Sequence, residues 1–70
     1  MDRRLKRIVD EIRSVRTNPD DMVAGTLMLQ IELVRSGDRY SEDDLFEALR
    51  ELGADELEMA SWFERYASWV

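Results

Sequence analysis

Residues 18–37 read NPDDMVAGTLMLQIELVRSG, and this stretch decides the fold. Asn18 has the side chain of an N-cap, Pro19 fits a first helical position, and Asp21 stands where a capping-box acid stands. Aspartates in a first turn also complement the helix dipole. From Met22 to Ile31 there is no charged residue. Ser36-Gly37 then stops the run, with glycine suited to a left-handed cap. Val23, Leu27, Ile31 and Val34 form one apolar stripe and Met22, Leu29 and Leu33 another, leaving little room for a wet face. The spacing therefore predicts a helix over 19–36 that serves as the buried hub of an all-α domain. Ala24-Gly25-Thr26 is a small-residue patch inside it. Mid-helix glycine costs about 1 kcal/mol against alanine, so the patch is expected to admit a close backbone. That neighbour is either the first helix or a second copy of the chain, which makes Ala24, Gly25 and Thr26 the expected seam of a homodimer if one forms.

Working outward, residues 2–16 place Leu5, Ile8, Val9, Ile12 and Val15 at helical spacing. Arg3, Arg4, Lys6, Arg7 and Arg13 take the opposite side, where exposed charge is the default outer face. Lys6–Asp10 and Arg7–Glu11 have the four-residue spacing of intrahelical ion pairs. After the central stretch, Ser41 and Asp44 form a second capping box opening a helix over 42–52, with Leu45, Phe46, Leu49 and Leu52 as its core stripe and Gly53 closing it. Asp55 caps a fourth helix over 56–68. Its apolar arc centres on Met59, Phe63, Tyr66 and Val70, with Trp62 and Trp69 at the edge. The expected fold is thus a small four-helix bundle, one domain over 1–70, with the second helix central.

Seventy residues without cysteine or histidine exclude a disulfide framework, thiolate metal sites, and the commonest zinc ligand and general base. So short a chain often needs a supplement to its core, and dimerisation is the one left open. The charged amino terminus is followed by no apolar run of secretory type, and the central run is shorter than the ~20 residues a bilayer requires. A cytoplasmic protein with no membrane partner is expected.

Charge is uneven. Residues 1–16 carry a net +3, residues 17–40 a net −2 and residues 41–70 a net −7. A basic first helix is therefore expected to pack near the acidic last two.

The segment 45–62, LFEALRELGADELEMASW, resembles the helix-turn-helix of phage-repressor type, with Leu52-Gly53 at the turn, Asp55 capping, and Met59 and Trp62 facing inward. The likeness covers about a quarter of the chain. It departs from the motif at Leu49, where a small residue is expected. In that motif the leading residues of the second helix meet base edges. Here they are Asp55, Glu56 and Glu58, of the wrong sign for a polyanion. LGADEL at 52–57 also resembles the LGADSL of acyl carrier proteins, but Glu56 replaces the serine that would carry the prosthetic group. A glycine C-cap followed by an aspartate N-cap accounts for it.

The acids cluster in first helical turns, as dipoles favour, and no loop offers a hard-cation site. Neither a metal, a cofactor nor enzymatic activity is expected. The leading expectation is a non-enzymatic protein–protein interaction module, a regulator or inhibitor that occupies a basic, nucleic-acid-binding surface of a partner. Its contact residues would be Glu42, Asp43, Asp55, Glu56, Glu58, Trp62 and Trp69, tryptophan being enriched at hot spots. The alternatives are a DNA-binding regulator using Arg3, Arg4, Arg7 and Arg13 on phosphates, and a structural homo-oligomer.

Overall fold

The computed structural model describes residues 1–15 and 21–69. Four helices follow in order, α1 (Arg3–Val15), α2 (Met22–Ser36), α3 (Glu42–Glu51) and α4 (Glu56–Trp69), and the described residues contain no strand. The expected all-α bundle is the observed architecture.

Local chemistry explains the helix boundaries. The Asp2 carboxylate accepts from the Arg4 amide at 2.8 Å, which caps α1. The Asn18-Pro19 start expected for the second helix lies outside the described residues. Within them Asp21 is not the in-helix capping-box acid expected of a helix over 19–36 but the N-cap itself, accepting from the Ala24 amide at 3.1 Å, so that α2 begins at Met22. Ser41 accepts from the Asp44 amide at 3.2 Å and Asp55 from the Glu58 amide at 2.8 Å, so both expected caps form. Each side chain takes up an amide that has no partner within its helix. Gly37 at φ 72° and Gly53 at φ 91° end α2 and α3 in the left-handed region, where a Cβ is penalised.

The core is one cluster. Leu5, Val9 and Ile12 come from α1, Leu29 and Leu33 from α2, Leu45, Ala48 and Leu49 from α3, and Met59 and Trp62 from α4; Leu52 and Ala54 close it at the α3–α4 turn. α1 packs against α2 and α3, while α4 packs against α2. α2 thus touches helices on two sides, and α3 lies chiefly on α1.

This arrangement corrects one expectation. α2 is a hub on one side only. Gly25, Thr26, Leu29 and Leu33 are buried, whereas Val23 (58 %), Leu27 (49 %), Ile31 (50 %) and Val34 (57 %) remain exposed. The glycine–threonine side is the one that admits α4. The Trp62 indole N–H reaches across to donate to the Thr26 carbonyl at 3.0 Å. Among the described residues no helix covers the opposite stripe.

The apolar arc of α4 is likewise turned from its expected centre. Trp62 is fully buried and Met59 nearly so, while Phe63, Tyr66 and Trp69 are half-buried around them. Trp62 stacks on Tyr66 at 5.3 Å and meets Trp69 edge-on at 5.9 Å. Phe63 reaches Phe46 of α3 at 5.0 Å, tying the two helices beyond the turn. Val15, placed by its spacing in the α1 stripe, is 62 % exposed at the helix end; Val70 lies outside the described residues.

Of the two acidic helices expected beside the first, α3 is the one that α1 packs against, and charge follows that contact. Lys6 bonds Glu51 at 2.9 Å and Asp10 at 3.3 Å. The Met1 ammonium lies 3.4 Å from Glu47 and 3.8 Å from Asp44, and Arg4 lies 3.7 Å from Asp38 and over the Tyr40 ring.

These contacts set a pH dependence. Burial, with Asp38 adding to it, pushes the Tyr40 hydroxyl above its ordinary 10.0. Hydrogen bonds to Glu51 and then Asp10 raise Lys6 above 10.5. In both cases the fold favours the protonated form, so their contribution is complete below those ordinary values and disappears as pH rises through the folded ones. Thermal melts should accordingly be level from neutrality to about pH 10 and fall beyond it. A Tyr40→Phe variant should show a shallower alkaline fall; an unchanged slope would remove Tyr40 from the account.

Candidate interaction surface

The acids of α3 and α4 divide into two sets by what they touch. Asp44, Glu47 and Glu51 recur at helical spacing on one side of α3; Asp44 and Glu47 share the Met1 ammonium just ahead of α1, and Glu51 pairs with Lys6 of α1. Glu42 and Asp43 at the start of α3, and Asp55 and Glu56 at the start of α4, are exposed. Among the described residues none of these four has an ion pair. Asp55 is occupied only as the α4 cap. Two large apolar side chains accompany them in the same helices: Phe46 is 41 % exposed and Leu57 83 % exposed.

Three of the residues expected at a partner contact are placed otherwise. Trp62 has no exposed surface, because the core takes all of it. Glu58 faces inward towards α2. Its Oε1 accepts from the Thr26 hydroxyl at 2.9 Å and from Arg65 at 3.4 Å. Arg65 in turn donates to Gln30 at 3.1 Å and Ser61 at 2.9 Å. Trp69 is half-buried against Trp62 and Tyr66. The patch Ala24-Gly25-Thr26 is also taken within the chain. Gly25 and Thr26 are buried, and Thr26 supplies both its hydroxyl and its carbonyl to α4.

Thr26 is the buried polar residue of the core. Its single hydroxyl proton goes to the charged Glu58, with the Val23 carbonyl at 3.2 Å as alternative acceptor. Hydrogen bonds to charged groups contribute about 1.5–3 kcal/mol. Thr26→Val keeps the shape and deletes the donor, so urea unfolding should show a loss in that range. A loss below about 0.5 kcal/mol would mean that Arg65 alone satisfies the carboxylate.

Reading the sequence alone missed two apolar surfaces. One is the outer stripe of α2. The other is a groove of about 340 Å³ between α1 and α2, lined by Ile8, Ile12, Val15, Met28 and Ile31 with Glu11 and Glu32. The signal was present in the all-round apolarity of α2, but it was read as burial. Neither surface gathers a set of reacting groups. Among the described residues no three carboxylates come together as a metal site, and no helix is long and apolar enough to cross a membrane.

No protein-family model, no curated protein and no solved structure matches the chain.

Proposed function

We propose that this chain is a small non-enzymatic protein–protein interaction module that binds a basic surface of a partner protein through the acidic starts of α3 and α4. It would act as a regulator or inhibitor by occupying a surface the partner otherwise uses for nucleic acid. The observation that carries this reading is the contrast between the two sets of acids. Asp44, Glu47 and Glu51 each have a cation beside them, the first two sharing the Met1 ammonium and the third pairing with Lys6, while Glu42, Asp43, Asp55 and Glu56 stand exposed without ion pairs among the described residues. Phe46 and Leu57 supply apolar anchors in the same two helices. Charge of one sign steers and selects the partner, and desolvated apolar groups at the centre of a contact hold it. The same acids lead α4, which speaks against a phosphate backbone as the ligand.

The test is a calorimetric titration with a lysine- and arginine-rich helical peptide. Binding should weaken steeply between low and physiological salt. An Asp43→Lys/Glu56→Lys variant should lose about tenfold or more in affinity, with its circular dichroism unchanged because both positions are exposed. Salt-insensitive binding, or no binding at low salt, would contradict the proposal.

A further inference from the structure

A helix that is apolar all round belongs in an interior. α2 meets that condition on one side only, since Val23, Leu27, Ile31 and Val34 lie in water within a single chain. Four half-exposed aliphatics in one line make a contiguous apolar patch, the kind that marks an interaction site. We propose that a second copy of this chain covers the stripe, with the two α2 helices packed antiparallel about a two-fold axis near Met28.

Charge selects both the occupant and its direction. The stripe itself carries no charge, and charged groups flank its two ends: Asp21 at the start of α2 and Arg35 in its last turn. At 100° per residue these two fall within about 40° of each other around the helix, on the flank shared with Met28. A two-fold axis perpendicular to the helices keeps each flank on its own side and exchanges the ends. Asp21 of one copy then stands beside Arg35 of the other, and the pairing occurs twice. A parallel pair would instead set the two flanks on opposite sides of the seam, with each Asp21 and the other copy's Arg35 at opposite ends, so that neither pairing could form. Arg35 is free to turn, because its contact with Glu32 at 3.3 Å is a surface pair, with the arginine side chain 74 % exposed. Among the described residues the Asp21 carboxylate uses one oxygen, on the Ala24 amide.

The apolar residues match under the same operation. Val23 of one copy meets Val34 of the other, and Leu27 and Ile31 sit close to the axis. Together with the stems beside them, the two copies bury on the order of 1,000 Å², the lower limit of a specific interface. This contact uses none of the acids at the starts of α3 and α4, so its failure and that of the acidic surface are separately measurable.

Sedimentation equilibrium at rising concentration is the first arm of the test, and the wild type should pass from 8.3 kDa towards twice that mass. Leu27→Glu/Ile31→Glu substitutes exposed positions, so helicity should persist while association weakens by at least about 100-fold. The chain has no cysteine, so introduced thiols are the sole ones. With a short bismaleimide, Val23→Cys mixed with Val34→Cys should crosslink. Val23→Cys alone should not, its two copies lying about 16 Å apart along the pair. A wild type that stays at 8.3 kDa up to several hundred micromolar overturns the proposal. So does a dimer indifferent to the two glutamates, or one in which Val23→Cys crosslinks with itself and the mixture does not.

Discussion

Trp62→Ala should abolish cooperative folding at 25 °C. The indole is the largest fully buried side chain. It touches Tyr66, Trp69 and Phe63, and it bonds the Thr26 carbonyl of α2. Truncating a buried aromatic to alanine costs about 3–5 kcal/mol. A single core in a chain of this size rarely supplies more than about that amount. The two figures are comparable, so the variant has little or no stability left. Far-UV circular dichroism in urea should show a sloping baseline without a transition. Trp62→Phe retains most of the volume and loses the N–H donor, so it should fold with a lowered midpoint. Trp69→Ala, removing a half-buried group from the edge of the same cluster, should leave a cooperative transition. A Trp62→Ala unfolding free energy within about 1 kcal/mol of the wild type would mean that the aromatic cluster is not what joins α4 to α2.

How far the sequence reveals this fold depends on how local each cause is. The caps at Ser41 and Asp55 and the left-handed Gly37 are each decided within four residues and were legible; at the start of α2, where Asn18, Asp20 and Asp21 all have capping side chains, the sequence pointed to Asn18 and the cap is Asp21. The buried side of α2 was not legible. Its two aliphatic stripes, Val23–Leu27–Ile31–Val34 and Met22–Leu29–Leu33, are equally apolar, so periodicity has nothing with which to choose between them. The choice falls to the small side of Gly25 and Thr26, where α4 approaches and Trp62 finds its carbonyl.

The same limit applies to the acids. A charge count finds an excess in the last thirty residues but does not say which carboxylates have partners. The positions of Asp44, Glu47 and Glu51, three and four apart on one side of α3, carried a hint. That is the spacing of a face turned to a basic neighbour, and the neighbours are Lys6 of α1 and the Met1 ammonium just ahead of it. Glu58 gave less of a hint: Arg65 lies two turns along the same helix, but the Thr26 hydroxyl joins the pair only once α4 lies on α2.

The central claim is that α2 is apolar on two sides and that its own chain buries one of them. Leu27 and Leu29 test it as a matched pair, the same residue type two positions apart in one helix. Leu29 is 0 % exposed and Leu27 is 49 % exposed. A leucine inside a packed core loses about 2–5 kcal/mol on truncation, through transfer and the cavity left behind. At an exposed site the neighbours that would form a cavity are absent, and the cost stays below about 1 kcal/mol. The decisive measurement is urea unfolding of Leu29→Ala and Leu27→Ala beside the wild type. It should be followed by tryptophan fluorescence at submicromolar concentration, where association between copies contributes little. The account predicts a large loss for Leu29→Ala and a small one for Leu27→Ala. Equal losses, or a larger one at Leu27, would place the outer stripe inside the chain's own core and contradict it.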